Sequence, residues 1–269
     1  MTEKLSDNRL SAVTESYRRL SEKIEEAKLK AGRTDNVRFM AVTKTVPPEI
    51  VNHAVSLGID LLGENRVQEY LDKRESYSPC EVHFIGGLQT NKVKYIIDKV
   101  NMIHSVDSIK LAQEISRRAT SADRTMDILL EVNIGGEESK SGIAPEMLFE
   151  LAEQAGELPG LQIRGLMTIP PVDNNGSSEH FFERMQRLYG DLGEKFAQNN
   201  KFLIDTLSMG MSGDFETAIK YGSTIVRIGS LLFGYRKYCI GITSLILPKA
   251  VFISIYSLSL SKTQITGHL

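Results

Sequence analysis

Eight short apolar runs rich in β-branched residues recur along the chain, and their rhythm constrains the fold more than any other feature. They are VRFMAVT from Val37, IDLLG from Ile59, VHFIG from Val82, NMIHSV from Asn101, MDILLEVN from Met126, QIRGLMTI from Gln162, LIDTLSM from Leu203 and TIVRIG from Thr224. Helical stretches separate them, which is the pattern of a parallel sheet covered by helices. PPEIVNHAVSLG illustrates the helical type. Its prolines suit a first turn, Ile50, Ala54 and Leu57 share one face, and Gly58 follows the end. Eight strands in about two hundred residues fit an α/β (β/α)8 barrel of the TIM type better than an open doubly wound sheet. An open sheet carries a glycine-rich turn after its first strand, where this chain has TKTVPP.

Ahead of the first strand, Leu10, Val13, Tyr17, Leu20, Ile24 and Ala27 are spaced by threes and fours, and Gly32 follows. The spacing predicts one long amphipathic helix over residues 3–31 with a glycine C-terminal cap. At 269 residues and 41% hydrophobic composition, the chain is large enough to bury the core of a barrel. Its 32 basic residues are scattered among 34 acidic ones, which argues against a nucleic-acid partner. Cys80 and Cys239 lie far apart and make neither a disulfide framework nor a zinc motif. With a charged N-terminus lacking an apolar signal core, the expected location is a reducing cytoplasm, with the mitochondrion as the alternative compartment.

In a barrel of this kind, the chemistry sits at the C-terminal ends of the strands. The expected inventory there is Lys44 after the first strand, Glu64 and Asn65 after the second, and Gly86 and Gly87 after the third. Asn133 follows the fifth, Met167 and Thr168 the sixth, Ser208 the seventh and Arg227 the eighth. A lysine at a strand end ordinarily extends its stem to reach water. Arg227 lies within an apolar run, so its guanidinium either faces a ligand or satisfies an internal carboxylate. SMGMSGD and RIGS read as ordinary tight turns when taken singly. Together, at the ends of strands seven and eight, they occupy the place where such barrels hold a phosphate. A lysine, a phosphate cradle and an arginine are the parts needed for pyridoxal 5'-phosphate. Its aldehyde condenses with an unprotonated amine, and an arginine beside the pyridine nitrogen keeps that nitrogen unprotonated. GGEESKSG lacks the glycine that a P-loop requires before its lysine. His83 and His104, both inside strand-like runs, read as hydrogen-bonded structural histidines.

The segments AVTKTVP, LLGENRVQE, HFIGGLQTNK, IHSVDS, VNIGGEESKSG, GLMTIPP, LSMGMSGDFETAI and GSTIVRIGSLLFGYR occur in this order. In them the chain resembles the pyridoxal phosphate homeostasis proteins, the YggS/PROSC family, from about residue 10 to Tyr238. The resemblance implies a barrel like the N-terminal domain of alanine racemase, with the extra N-terminal helix. It also implies a set of cofactor-binding residues. Lys44 would be the Schiff-base lysine, and Ser208, Gly229 and Ser230 would hold the phosphate. Arg227 would face the pyridine nitrogen, and Asn65 and Met167 would line the ring. The implied role is that of a carrier or regulator in vitamin B6 homeostasis without established turnover. Expected partners are pyridoxal phosphate and apo pyridoxal phosphate-dependent enzymes, with neither nucleic acid nor membrane, and the expected state is a monomer.

Two enzymatic readings stand beside this one. An amino-acid racemase would need a second acid/base from a further domain, and the barrel is expected to use residues 1–238. A cofactor-free Schiff-base aldolase would use the same lysine and turn the phosphate cradle to its substrate. Residues 239–269 depart from the rest in composition, with Lys249 and Lys262 as their only charged side chains apart from His268. Pro248 and Lys249 interrupt the apolar run before it reaches the ~20 residues of a spanning helix. This segment reads as an extension outside the family function.

Overall fold

The computed structural model describes residues 2–137, 140–171 and 178–234. The expected tail over 239–269, and the last residues assigned to the 1–238 unit, lie outside the described residues. The strands are β1 (Arg38–Val42), β2 (Leu61–Glu64), β3 (Glu81–Phe84), β4 (Met102–Val106), β5 (Met126–Glu131), β6 (Leu161–Met167), β7 (Phe202–Met211) and β8 (Ile225–Ile228). The helices are α1 (Thr2–Lys30), α2 (Pro48–Ser56), α3 (Val67–Lys73), α4 (Ile109–Ser121), α5 (Leu148–Gly156), α6 (Glu179–Lys195), α7 (Phe215–Lys220) and α8 (Ser230–Phe233). Each strand pairs in parallel with its neighbour in sequence, and β1 closes on β8 with Met40 opposite Arg227 and Ala41 opposite Ile228. The result is a closed eight-stranded barrel.

Successive side chains on a strand face opposite sides, and β1 shows the consequence. Ala41 is buried in the main core under the helices, with Phe39 packed against it, whereas Met40 and Val42 join Leu61, Ile85 and Ile225 in a separate cluster inside the barrel. Met102, Leu129 and Met167 make a second interior cluster. α1 packs on α2, α7 and α8 through the buried Val13, Leu20, Ile24 and Ala27. It ends where Gly32 enters the left-handed region at φ 67°. The Arg33 N–H then bonds Lys28 O at 3.0 Å and the Gly32 N–H bonds Leu29 O at 3.0 Å. Those two bonds satisfy carbonyls that the helix end would otherwise leave open. Among the described residues no helix is long and apolar enough to cross a membrane.

Two strand ends differ from the sequence expectation. β5 stops at Glu131, two residues before Asn133. β7 continues to Met211, so Ser208 lies within the strand instead of at its end. The reason is Gly210, which reads as a turn residue but serves a close approach. At φ 90°, its position would bring a Cβ to 2.4 Å from the Ala218 Cβ, so only glycine lets α7 pack on the strand there.

Candidate functional site at the barrel mouth

The turn after β1 is built around strain. Thr43 is fully buried, with its hydroxyl donating 2.6 Å to Glu64 Oε1, and Lys44 follows it half-buried. Thr45 then adopts φ 62°, a region that a β-branched residue rarely enters. Its amide donates to Glu69 on α3, which also takes the Lys73 ammonium, so the turn is tied to the next βα unit. The left-handed conformation costs about 1–2 kcal/mol and glycine's backbone freedom about 0.5–1 kcal/mol. Thr45→Gly is therefore expected to stabilise the fold by about 0.5 kcal/mol, seen calorimetrically as a Tm about 1–2 °C higher. An unchanged or lower Tm would show that the turn holds no such strain.

At the end of β2, Asn65 Oδ1 and Glu64 Oε2 are buried without a hydrogen-bond partner among the described residues. Burial raises the Glu64 carboxyl above its ordinary range, although hydrogen bonds from Thr43 and Tyr77 act the other way. Gly86 is what allows β3 to end against Asn65, because a Cβ there would lie 2.1 Å from the Asn65 carbonyl oxygen.

Arg227 is 3% exposed. Its Nη1 donates 2.8 Å to Ser208 Oγ and its Nη2 donates 2.8 Å to the Thr168 carbonyl. Burial lowers it to about 10, while Asp214 and Glu131 favour its charge. Glu131 is a site residue that sequence reasoning missed. Burial, followed by the charge of Asp107, pushes it up to about 7 against the pull of Arg227. Met167 is 1% exposed and packs with Met102 and Leu129, level with Ser208 in the register of β6 and β7.

Ser208 is fully buried, and its hydroxyl meets Arg227 and, at 3.1 Å, His104 Nδ1. The hydroxyl on the turn is that of Ser212, which accepts the Leu231 N–H at 3.4 Å and so links the turns after β7 and β8. Asp214 folds the first turn by accepting the Met211 N–H at 2.6 Å. Gly229 precedes α8 and Ser230 begins it. β1 and β8 are neighbours, so the Lys44 turn and the Gly229–Ser230 turn leave the barrel side by side. Arg227, Met167, Asn65, Gly229, Ser230 and Lys44 thus lie at or near the C-terminal ends of their strands, whereas Ser208 lies three residues before the end of β7.

The model of the family described as alanine racemase, N-terminal domain, matches residues 16–237. Pyridoxal phosphate homeostasis protein from Aquifex aeolicus is 46% identical over 228 residues, covering 83% of this chain and 98% of the relative. The chain belongs to the pyridoxal phosphate homeostasis protein family. Another member, from Escherichia coli, is 34% identical across 85% of this chain and 99% of its own length. Among solved structures, PipY of Synechococcus elongatus without pyridoxal phosphate superposes with a TM-score of 0.73 at 30% identity, covering 82% of this chain and 100% of PipY. PipY with pyridoxal phosphate bound gives 0.69 at 30% identity, covering 81% of this chain and 100% of PipY. Alanine racemase from Clostridium difficile, at 16% identity and a TM-score of 0.65, covers 82% of this chain and 57% of the racemase. It shares the barrel with this member of the homeostasis protein family.

Proposed function

We propose that this chain binds pyridoxal 5'-phosphate at the barrel mouth through Lys44 and serves vitamin B6 homeostasis in the cytoplasm. The observation that carries the reading is the arrangement of the mouth. A half-buried lysine stands on a strained turn beside the α8 turn, and a buried guanidinium lies on the adjoining strand. The chemistry of these groups fits the cofactor, and Asn65 Oδ1 adds a buried acceptor with no hydrogen-bond partner among the described residues. The relatives' name and the cofactor in PipY agree with it.

When bound, the cofactor supplies an aldehyde that condenses with an unprotonated amine. The remaining work belongs to the chain. Lys44 presents that amine from a turn held by Glu69. Arg227, which can only donate, would face the ring nitrogen and keep it unprotonated, restraining the ring as an electron sink. Met167 supplies apolar contact, and Asn65 lines the edge. Gly229 and Ser230 hold the phosphate, and Ser212 takes the hydroxyl role expected of Ser208, whose own hydroxyl is turned to Arg227 and His104. The chain acts as a monomer and passes its cofactor to apo-enzymes.

Borohydride reduction of the cofactor-loaded protein, followed by peptide mapping, tests the reading. A visible band that disappears and a pyridoxyl group on Lys44 are expected. A protein that stays colourless and unmodified after pyridoxal phosphate is added would overturn it.

A further inference from the structure

The inside of a TIM barrel is usually filled with branched apolar side chains. Here a file of polar groups crosses it. From Arg227 the path runs 2.8 Å to Ser208 Oγ, then 3.1 Å to His104 Nδ1. His104 Nε2 is 2.9 Å from His83 Nδ1, and His83 Nε2 is 2.6 Å from Glu81 Oε1. Glu81 also accepts from Arg38 Nη2 at 2.7 Å. This end opens on a cavity of about 430 Å³ at the start of the strands, lined by Arg38, Glu81, His83, Asp127, Arg164 and Asp205. The file therefore links the floor of the barrel to the guanidinium near its mouth.

Hydrogen-bonding capacity and charge leave one consistent arrangement of protons along the file. The hydrogen bond from His83, helped by Arg38, holds the Glu81 carboxyl down at about 2, so it is ionised and only accepts. His83 Nε2 must then carry a proton. Burial depresses the basicity of both imidazoles, with the positive charge of Arg227 adding to the effect at His104, so each ring is neutral with one N–H. His83 Nδ1 is bare and accepts from His104 Nε2–H, which leaves His104 Nδ1 bare to accept the Ser208 O–H. With its proton committed there, the hydroxyl turns a lone pair to Arg227. Every bond points the same way, from the guanidinium to the carboxylate.

We propose that Glu81, His83 and His104 are positioning residues for Arg227. Through Ser208 they fix one edge of the guanidinium as the Thr168 carbonyl fixes the other, and so set the donor that meets the ligand's ring. This rests on the reading of Arg227 as a cofactor contact. None of the three touches that ligand. Sequence expectation made His83 and His104 structural, and a structural role alone would not order the protons or reach Arg227.

The test uses the full chain. In ligand-free protein near neutral pH, NMR of the imidazole nitrogens is expected to show His83 and His104 both neutral with the proton on Nε2. A proton on Nδ1 of either ring, or an imidazolium, would overturn the relay. His104→Gln keeps one donor and one acceptor, whereas His104→Leu keeps neither. In the leucine variant, hydrogen exchange of the Arg227 guanidinium is expected to quicken by about tenfold, the change that loss of about 1.4 kcal/mol of protection gives. Its pyridoxal phosphate Kd should rise about tenfold with a shifted absorption band, and the glutamine variant should stay within about threefold of wild type. Equal behaviour of the two variants, or unchanged exchange in the leucine one, would refute positioning. If wild-type protein took up no pyridoxal phosphate, the cofactor reading would fail. The tautomers and the guanidinium exchange would still decide the relay.

Discussion

Replacing Lys44 with alanine is expected to abolish borohydride-dependent labelling of the chain and to weaken pyridoxal phosphate binding by about a hundredfold. On the proposed reading the amine is a covalent anchor whose worth depends on being held in place, and the turn does the holding. What would remain in the variant is the proposed phosphate cradle of Ser212, Gly229 and Ser230 with the proposed Arg227 contact, which would support reversible binding only. The amine of Lys73 is the rescue to consider, because it reaches the Thr43 carbonyl at 3.5 Å. It is ion-paired with Glu69, which also holds the Thr45 amide, so moving it would dismantle the turn. Peptide mapping of the reduced variant should find no pyridoxyl group on Lys73. A full-strength band in Lys44→Ala, or a label that moves to another lysine without loss of affinity, would refute the assignment.

The strand that delivers Lys44 was readable in the sequence because three local signals agree: an apolar β-branched run, a polar exit and a proline pair that starts α2. The same agreement made the barrel readable, since each βα unit repeats it. The site was less legible wherever a signal depended on register. His83 and His104 stand 21 positions apart, a separation that matches no local spacing rule. Only the pairing of β3 with β4, which sets His83 opposite Met102 and so His104 one inward-facing position further along, brings the two rings within hydrogen-bond reach. Ser208 and Ser212 share the quoted stretch SMGMSGD, where the sequence reading names Ser208 alone and takes Gly210 for a turn residue. A glycine inside a strand and a glycine in a turn look alike until the helix packed against it is known. The family motif named residues that the fold carries at or near the mouth, but it did not show which hydroxyl faces inward.

Glu131 was hidden for a related reason, since the carboxylate ends an apolar run expected to continue to Asn133. Its replacement by glutamine should have the largest effect on stability and a distinctive pH dependence. The folded-state value of about 7 lies above the unfolded one, so the group's contribution is fully present below about pH 4.5 and is lost as the pH rises through 7. At about pH 8 the wild-type fold carries a buried carboxylate whose ionisation costs about 3 kcal/mol, net of the attraction from Arg227. Glutamine has similar shape and no charge to bury. Glu131→Gln should therefore be about 3 kcal/mol more stable than wild type at about pH 8 and nearly indistinguishable from it at about pH 4. Urea unfolding of the ligand-free proteins across that range checks this. A stability difference that does not grow with pH would mean that Glu131 and Arg227 form an ion pair stable enough to offset burial. In that case, Arg227 would be satisfied by an internal carboxylate rather than held ready for a ligand.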